Sequence, residues 1–216
     1  MVLTLPSAAA VGVDLLRSIL EDPNVQQANS DFVARIGESP VPATCRAACA
    51  LMGEEALVDF SDDEWHVGST DATTCLIAVL VCRTSRKAWA AHYNSHLARV
   101  DTSITQLLPR HMQHPEVWLV GSFLEPTGES AATLQAVLQL LHACRLPCVV
   151  RLACVAGANT DGAGAPRALH LAVGCSPGDA GVTVCCDASP AGFADRGPEL
   201  PRRFAHDHMA ESRGDV

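Results

Sequence analysis

Val67-Gly68-Ser69-Thr70-Asp71-Ala72-Thr73-Thr74-Cys75 runs directly into the apolar segment Leu76-Ile77-Ala78-Val79-Leu80-Val81. The polar turn Arg83-Thr84-Ser85-Arg86-Lys87 and a second apolar stretch, Ala88-Trp89-Ala90-Ala91-His92, follow. Two apolar segments joined by a short polar turn predict neighbouring antiparallel strands. In that pairing Cys75, at the start of the first strand, comes side by side with His92, at the end of the second. The residues before Cys75 read as a polar, turn-forming lead-in that delivers the thiol onto the sheet.

A free thiol titrates too high to be mostly thiolate at neutral pH, so a nucleophilic cysteine needs an imidazole or other positive potential within reach. His92 fits that need as the general base. Ser69, on the approach to the cysteine, is a candidate for holding the imidazole in the right tautomer, as orienting groups do in triads. Backbone N–H groups around Thr74 and Cys75 are candidates for stabilising an oxyanion. Other chemistries fit less well. Gly121-Ser122-Phe123 lacks the second glycine of a nucleophile elbow, which argues against serine hydrolysis. The stretch 157–166 carries no lysine at Walker spacing and reads as a surface loop between strands. Cys45/Cys49, Cys144/Cys148, Cys185/Cys186, His111/His114 and His206/His208 lack the paired Cys-x-x-Cys spacing of a zinc site, so no metal is assigned.

Outward from the hairpin, strands alternate with helices. Residues 117–123, 148–155, 169–173 and 182–186 read as strands, 102–108 as a short helix, and 131–144 as a helix capped by Ser130, with Leu134, Val137, Leu138 and Leu141 at helical spacing. The stretch from 8 to about 53 reads as short helices: Val13, Leu16, Ile19 and Leu20 share a helical face, and Ser30-Asp31 caps 32–36. The expected fold class is α+β, a mixed or antiparallel sheet flanked by helices. The expected division is an N-terminal helical segment at 1–55, a main domain at 56–204 and a polar tail at 205–216.

The length of 216 residues supports one sizeable core without disulfide staples, and most of the ten cysteines sit in apolar runs as reduced thiols. The start of the chain has no basic region of the kind that opens a secretory signal, and no apolar run is long enough to span a membrane. A soluble, cytoplasmic protein is expected. The formal net charge of −9 argues against nucleic-acid partners and suits a positively charged one, such as the free amino terminus of a peptide.

Four blocks in order, 67–81, His92, 117–123 and Asp195-Arg196-Gly197-Pro198-Glu199, resemble the protein N-terminal asparagine amidohydrolase family, over roughly 56–204. The resemblance implies a fold similar to cysteine deamidases, Cys75 as nucleophile, and proteins or peptides with a free N-terminal asparagine as substrates. It implies N-terminal aspartate and ammonia as products, no cofactor, entry of the product into the N-degron route of ubiquitin-dependent degradation, and a nuclear as well as cytoplasmic location. The order and spacing of hydroxyl, cysteine and histidine also resemble bacterial chemoreceptor glutamine deamidases, which supports Ser69 and His92. Asp71, Asp195 and Glu199 are the candidates for pairing with the substrate ammonium, and Thr74 joins them as a substrate-binding residue. The chain departs from the family pattern at Leu76 and Asn94-Ser95, and it is expected to lack the family's C-terminal portion. A glutamine deamidase or other thiol amidohydrolase, or an inactive paralogue that binds N-terminal residues, remain the alternative readings.

Overall fold

A computed structural model describes residues 13–38, 40–42, 45–94, 103–106, 108–178 and 182–186, and the backbone of 202–204. In chain order the helices are α1 (Val13–Glu21), α2 (Pro23–Ala34), α3 (Ser103–Gln106), α4 (Leu108–His111) and α5 (Glu129–Ala143). The strands are β1 (Arg46–Cys49), β2 (Glu54–Asp59), β3 (Trp65–Ala72), β4 (Leu76–Cys82), β5 (Lys87–Tyr93), β6 (Glu116–Phe123), β7 (Val149–Ala156), β8 (Leu169–Cys175), β9 (Val182–Cys185) and β10 (Arg202–Phe204). They form a six-stranded sheet, β10-β2-β5-β4-β6-β7, and a four-stranded sheet, β1-β3-β8-β9. Pairing is antiparallel except β1 with β3 and β6 with β7, so the fold is the expected α+β class with mixed sheets.

The hairpin read from the sequence is the centre of the large sheet. β4 and β5 pair antiparallel, with Ile77 opposite His92 and Cys82 opposite Lys87. All seven residues of β4 are buried because the strand is covered on both faces, and this is why the segment is continuously apolar rather than alternating. Leu76, Ala78 and Leu80 pack with Leu15, Ile19, Leu134, Val137 and Leu138 of α1 and α5. Ile77, Val79 and Val81 pack the other way, onto Val67, Leu171 and Val173 of the small sheet. The result is three layers: helices, the large sheet and the small sheet. Fully burying each large aliphatic side chain of this kind stabilises by about 1.5–3 kcal/mol, which makes the hairpin the natural foundation of both cores.

Several local expectations are corrected. The polar lead-in is not a turn: β3 continues as a buried strand through Thr70, and only residues 73–75 bend. Gly68 permits this, since a Cβ there would stand 1.9 Å from the Leu171 carbonyl oxygen on β8. Arg46–Cys49, in the stretch read as helical, is a strand beside β3. Helix α2 starts at Pro23, with the Asp22 carboxylate accepting from Asn24 N–H at 2.8 Å, and it runs straight through Ser30-Asp31. Ser30 donates to the Gln26 carbonyl instead of capping. The short helix read at 102–108 is two turns, α3 and α4. Helix α5 begins one residue before Ser130, after Gly128 in the left-handed region, with Glu125 accepting from the Ser130 N–H at 2.8 Å. Strand β2 escapes a hydropathy reading because Glu54, Glu55 and Asp59 break its apolar pattern, yet Glu55 is buried and accepts the Trp89 indole N–H at 2.9 Å.

At the far side of the large sheet, β7 meets α2. The buried Asn29 side-chain oxygen accepts from the Ala153 backbone N–H at 3.0 Å, so the helix takes a donor that no further strand pairs. Replacing Asn29 with Leu leaves that N–H without an acceptor, and a stability loss of about 1–3 kcal/mol is expected from denaturant titration. An unchanged unfolding midpoint in Asn29→Leu would show that this contact does not hold α2 to the sheet.

Candidate active site

Ser69 lies on β3 of the small sheet and His92 on β5 of the large one, so contact between them requires the two sheets to pack face to face. They meet: Ser69 Oγ and His92 Nδ1 are 2.8 Å apart, and both residues are buried. His92 Nε2 is enclosed and has no hydrogen-bond partner among the described residues. Cys75 precedes β4 and packs against the same inter-sheet core. Because His92 pairs with Ile77, Cys75 is offset by two residues from the imidazole rather than directly opposite it. Residues two apart on a strand share a face, so the thiol and the imidazole still belong to one end of the inter-sheet layer.

The end of β6 grips the cysteine from the other side. The Cys75 carbonyl accepts from Ser122 N–H at 2.8 Å, and the Thr73 carbonyl accepts from Phe123 N–H at 3.2 Å. Gly121 has φ +105° and Ser122 φ +47°. A Cβ on residue 121 would stand 2.2 Å from the Cys75 carbonyl oxygen, so the grip requires glycine for both its space and its backbone angle. Sequence reading weighed Gly121-Ser122 only as a serine-hydrolase elbow and missed this role. The signal was the glycine itself, at the end of an apolar strand, where close backbone approach is a standard cause.

Electrostatics set the resting protonation state. Burial drives His92 from 6.5 down to about 4, with Asp71 acting weakly in the opposite direction, so the imidazole is neutral at physiological pH. Burial also raises the Cys75 thiol above its ordinary value, partly offset by a hydrogen bond from the Thr74 side chain. The pair therefore rests as thiol and neutral imidazole rather than as an ion pair. The Cys75 thiol points at the sulfur of Met52, at 3.8 Å, and Gly53 N–H donates to the His92 carbonyl at 3.0 Å, which fixes the 51–53 loop over the site. Met52 and Leu51 are exposed despite their size, a feature no sequence pattern marked.

Of the expected substrate-binding residues, Thr74 lies against Cys75, to whose thiol its side chain hydrogen-bonds. Asp71 adopts φ +59° at an irregularity in the β3–β8 pairing, with its N–H donated to His170 Nδ1 at 3.2 Å and its carboxylate exposed. Asp195 and Glu199 lie outside the described residues. None of the ten cysteines is in a disulfide. Among the described residues, no helix is long and apolar enough to cross a membrane.

Between pH 6.5 and about 4 the unfolded chain protonates His92 while the folded protein keeps it neutral. Stability therefore falls as pH is lowered through that window, by at most about 1.4 kcal/mol per pH unit for one such group. In His92→Gln the stability–pH profile measured by denaturant titration is expected to be shallower over that interval. A slope as steep as the parent's would place the proton uptake elsewhere.

The family model described as protein N-terminal asparagine amidohydrolase matches residues 44–213, extending beyond the 56–204 expected from the sequence blocks. No curated protein matches the chain.

Proposed function

The chain belongs to the protein N-terminal asparagine amidohydrolase family, and from that premise we propose that it converts N-terminal asparagine to aspartate through a thioester on Cys75. The observation that carries this reading is the buried Ser69–His92 hydrogen bond at the end of the inter-sheet layer where Cys75 emerges.

With Nδ1–H donated to Ser69 Oγ, His92 keeps a lone pair on Nε2, the nitrogen without a protein partner. That lone pair takes the thiol proton as sulfur attacks the side-chain amide carbon. The tetrahedral oxyanion is held by backbone N–H groups of the 74–75 turn. His92 then returns the proton to the departing nitrogen, and ammonia leaves as the C–N bond breaks. Water, deprotonated by the same imidazole, adds to the thioester, and the C–S bond breaks to release aspartate and restore the thiol. A low imidazole value and a raised thiol suit this order, since the proton moves only as attack occurs.

Selectivity for a chain terminus needs a partner for the α-ammonium. Asp71 supplies exposed negative charge close enough to act on His92, and Asp195 and Glu199 are further candidates from the last sequence block. The exposed Met52 beside the thiol offers an apolar surface for the residue that follows asparagine. The product would enter the N-degron route in the cytoplasm and nucleus.

Incubation with a peptide that begins with asparagine, read by mass spectrometry and ammonia release, is expected to show amide-to-acid exchange. Cys75→Ala should abolish it, His92→Ala should slow it about 10²–10⁴-fold, and Ser69→Ala should cost less. Acetylating the α-amine should reduce the specificity constant about tenfold to more than a hundredfold, with a smaller gap in Asp71→Asn if Asp71 is the partner. Turnover by folded Cys75→Ala would reject the nucleophile. Equal turnover of free and acetylated peptides would reject terminus selectivity and favour a general thiol amidase, and a preference for glutamine would favour a glutamine deamidase.

A further inference from the structure

We propose that Cys45, Glu64 and His66 form a binding site for a zinc-class divalent cation on the outer face of the small sheet, away from the Cys75 chemistry. Their donor atoms all lie within 4.8 Å of one another although they come from three different places: the residue before β1, the residue before β3, and β3 itself. Sequence spacing assigned no metal to Cys45 and Cys49, and Cys49 is indeed buried in its own cluster with Val41, Ala172 and Cys185.

His66 is the second, independent observation. Its side chain is only 1% exposed, and neither ring nitrogen has a hydrogen-bond partner among the described residues. A buried polar group without a partner is costly, and in native proteins it usually marks an unrecorded water, ion or function. Its Nδ1 is 4.0 Å from Glu64 Oε1, and Glu64 is the charged, exposed arm of the group. The fold also reserves the room: a Cβ on Gly174 would stand 2.5 Å from His66 Nε2, so the neighbouring strand β8 carries glycine where the imidazole lies. Nothing in a core packing role demands a histidine against that glycine.

The donor set is thiolate, imidazole and carboxylate, the combination that zinc accepts in tetrahedral coordination. Around zinc, such donors stand about 3.3–3.8 Å apart, so binding needs a closing movement of roughly 1 Å, which the exposed Glu64 can make by rotation. Arg46 braces the corner. Its guanidinium pairs with Asp63 at 3.0 Å and lies over the Trp65 ring at 5.7 Å, tying the start of β1 to the segment that carries Glu64. With three protein ligands, the fourth position is left to water. A cation there would tie β1 to β3 three residues before Ser69, making the site a clamp on the strand that supplies the hydroxyl partner of His92.

The test uses the full-length, reduced, metal-stripped protein with Zn²⁺ in competition against a chromophoric chelator, and Co²⁺ as the spectroscopic probe. The parent is expected to take up about one equivalent of Zn²⁺ and, with Co²⁺, to show a near-ultraviolet thiolate charge-transfer band with tetrahedral visible bands. Cys45→Ser should abolish the thiolate band, and Cys45→Ser and Glu64→Gln should each weaken Zn²⁺ binding by about tenfold or more. Zinc should raise the melting temperature of the parent and not of Cys45→Ser. Cys144→Ser, on the opposite layer, should behave as the parent. Cys45 and Glu64 are not buried in a core, so their variants remain folded probes even where His66→Gln does not. Absence of stoichiometric Zn²⁺ binding, or binding unchanged in both Cys45→Ser and Glu64→Gln, would overturn the site. Neither readout uses deamidation, so failure here is distinct from failure of the proposed reaction.

Discussion

The hydrogen bond between Ser69 and His92 is the contact on which the site depends, because it joins two separate sheets inside the protein. Both residues are buried, and an imidazole whose Nδ1 lost its partner would carry an uncompensated polar atom in a layer lined with aliphatic side chains. The bond therefore constrains more than one side chain. It requires β3 and β5 to face each other at this depth, which in turn requires the small sheet to lie on the hairpin face that carries Ile77, Val79 and Val81. The apolar packing supplies the force, and the polar contact selects the alignment.

That alignment decides the chemistry available. In water a histidine near neutrality is a mixture of protonation states, but desolvation between the sheets leaves this one neutral. The same burial makes the neighbouring thiol reluctant to ionise. A pair with these properties is suited to proton transfer in concert with attack and poorly suited to a standing thiolate, which would be prone to adventitious oxidation. The other half of the site is backbone. Ser122 and Phe123 hold the 73–75 turn by main-chain donors, with Gly121 leaving the room they need, so the position of Cys75 is set by hydrogen bonds that do not depend on side-chain rotamers.

Strand β3 links the two polar features of the small sheet. Ser69 and His66 lie on the same strand with opposite surroundings, one hydrogen-bonded against the large sheet and the other facing the outer corner near Cys45 and Glu64. Trp65 and Val67 between and beside them pack in the inter-sheet core. A strand buried on both sides and carrying polar groups on each is expensive to build from packing alone, and the polar groups are where function is to be sought.

The sequence by itself determined the hairpin and the α+β class, and it marked Cys75 and His92 as candidates. An uninterrupted apolar run and a short polar turn leave few foldings for 76–92, and a cysteine at the mouth of such a run is conspicuous. Ser69 was legible as a candidate for orienting the imidazole from its place before Cys75 and from the order and spacing of hydroxyl, cysteine and histidine. Tertiary structure alone decided that its partner is Nδ1 of His92, because the contact crosses sheets and is created by burial, which has no spacing signature. It also turned the expected polar loop of 67–72 into a buried strand, since β1 and β8, absent from any local window, satisfy its backbone and the large sheet covers its face. The roles of Gly121, Met52 and the group formed by Cys45, Glu64 and His66 arise in the same way. Local pattern records which strands form, whereas the neighbours of a side chain across a packed layer depend on how whole sheets stack.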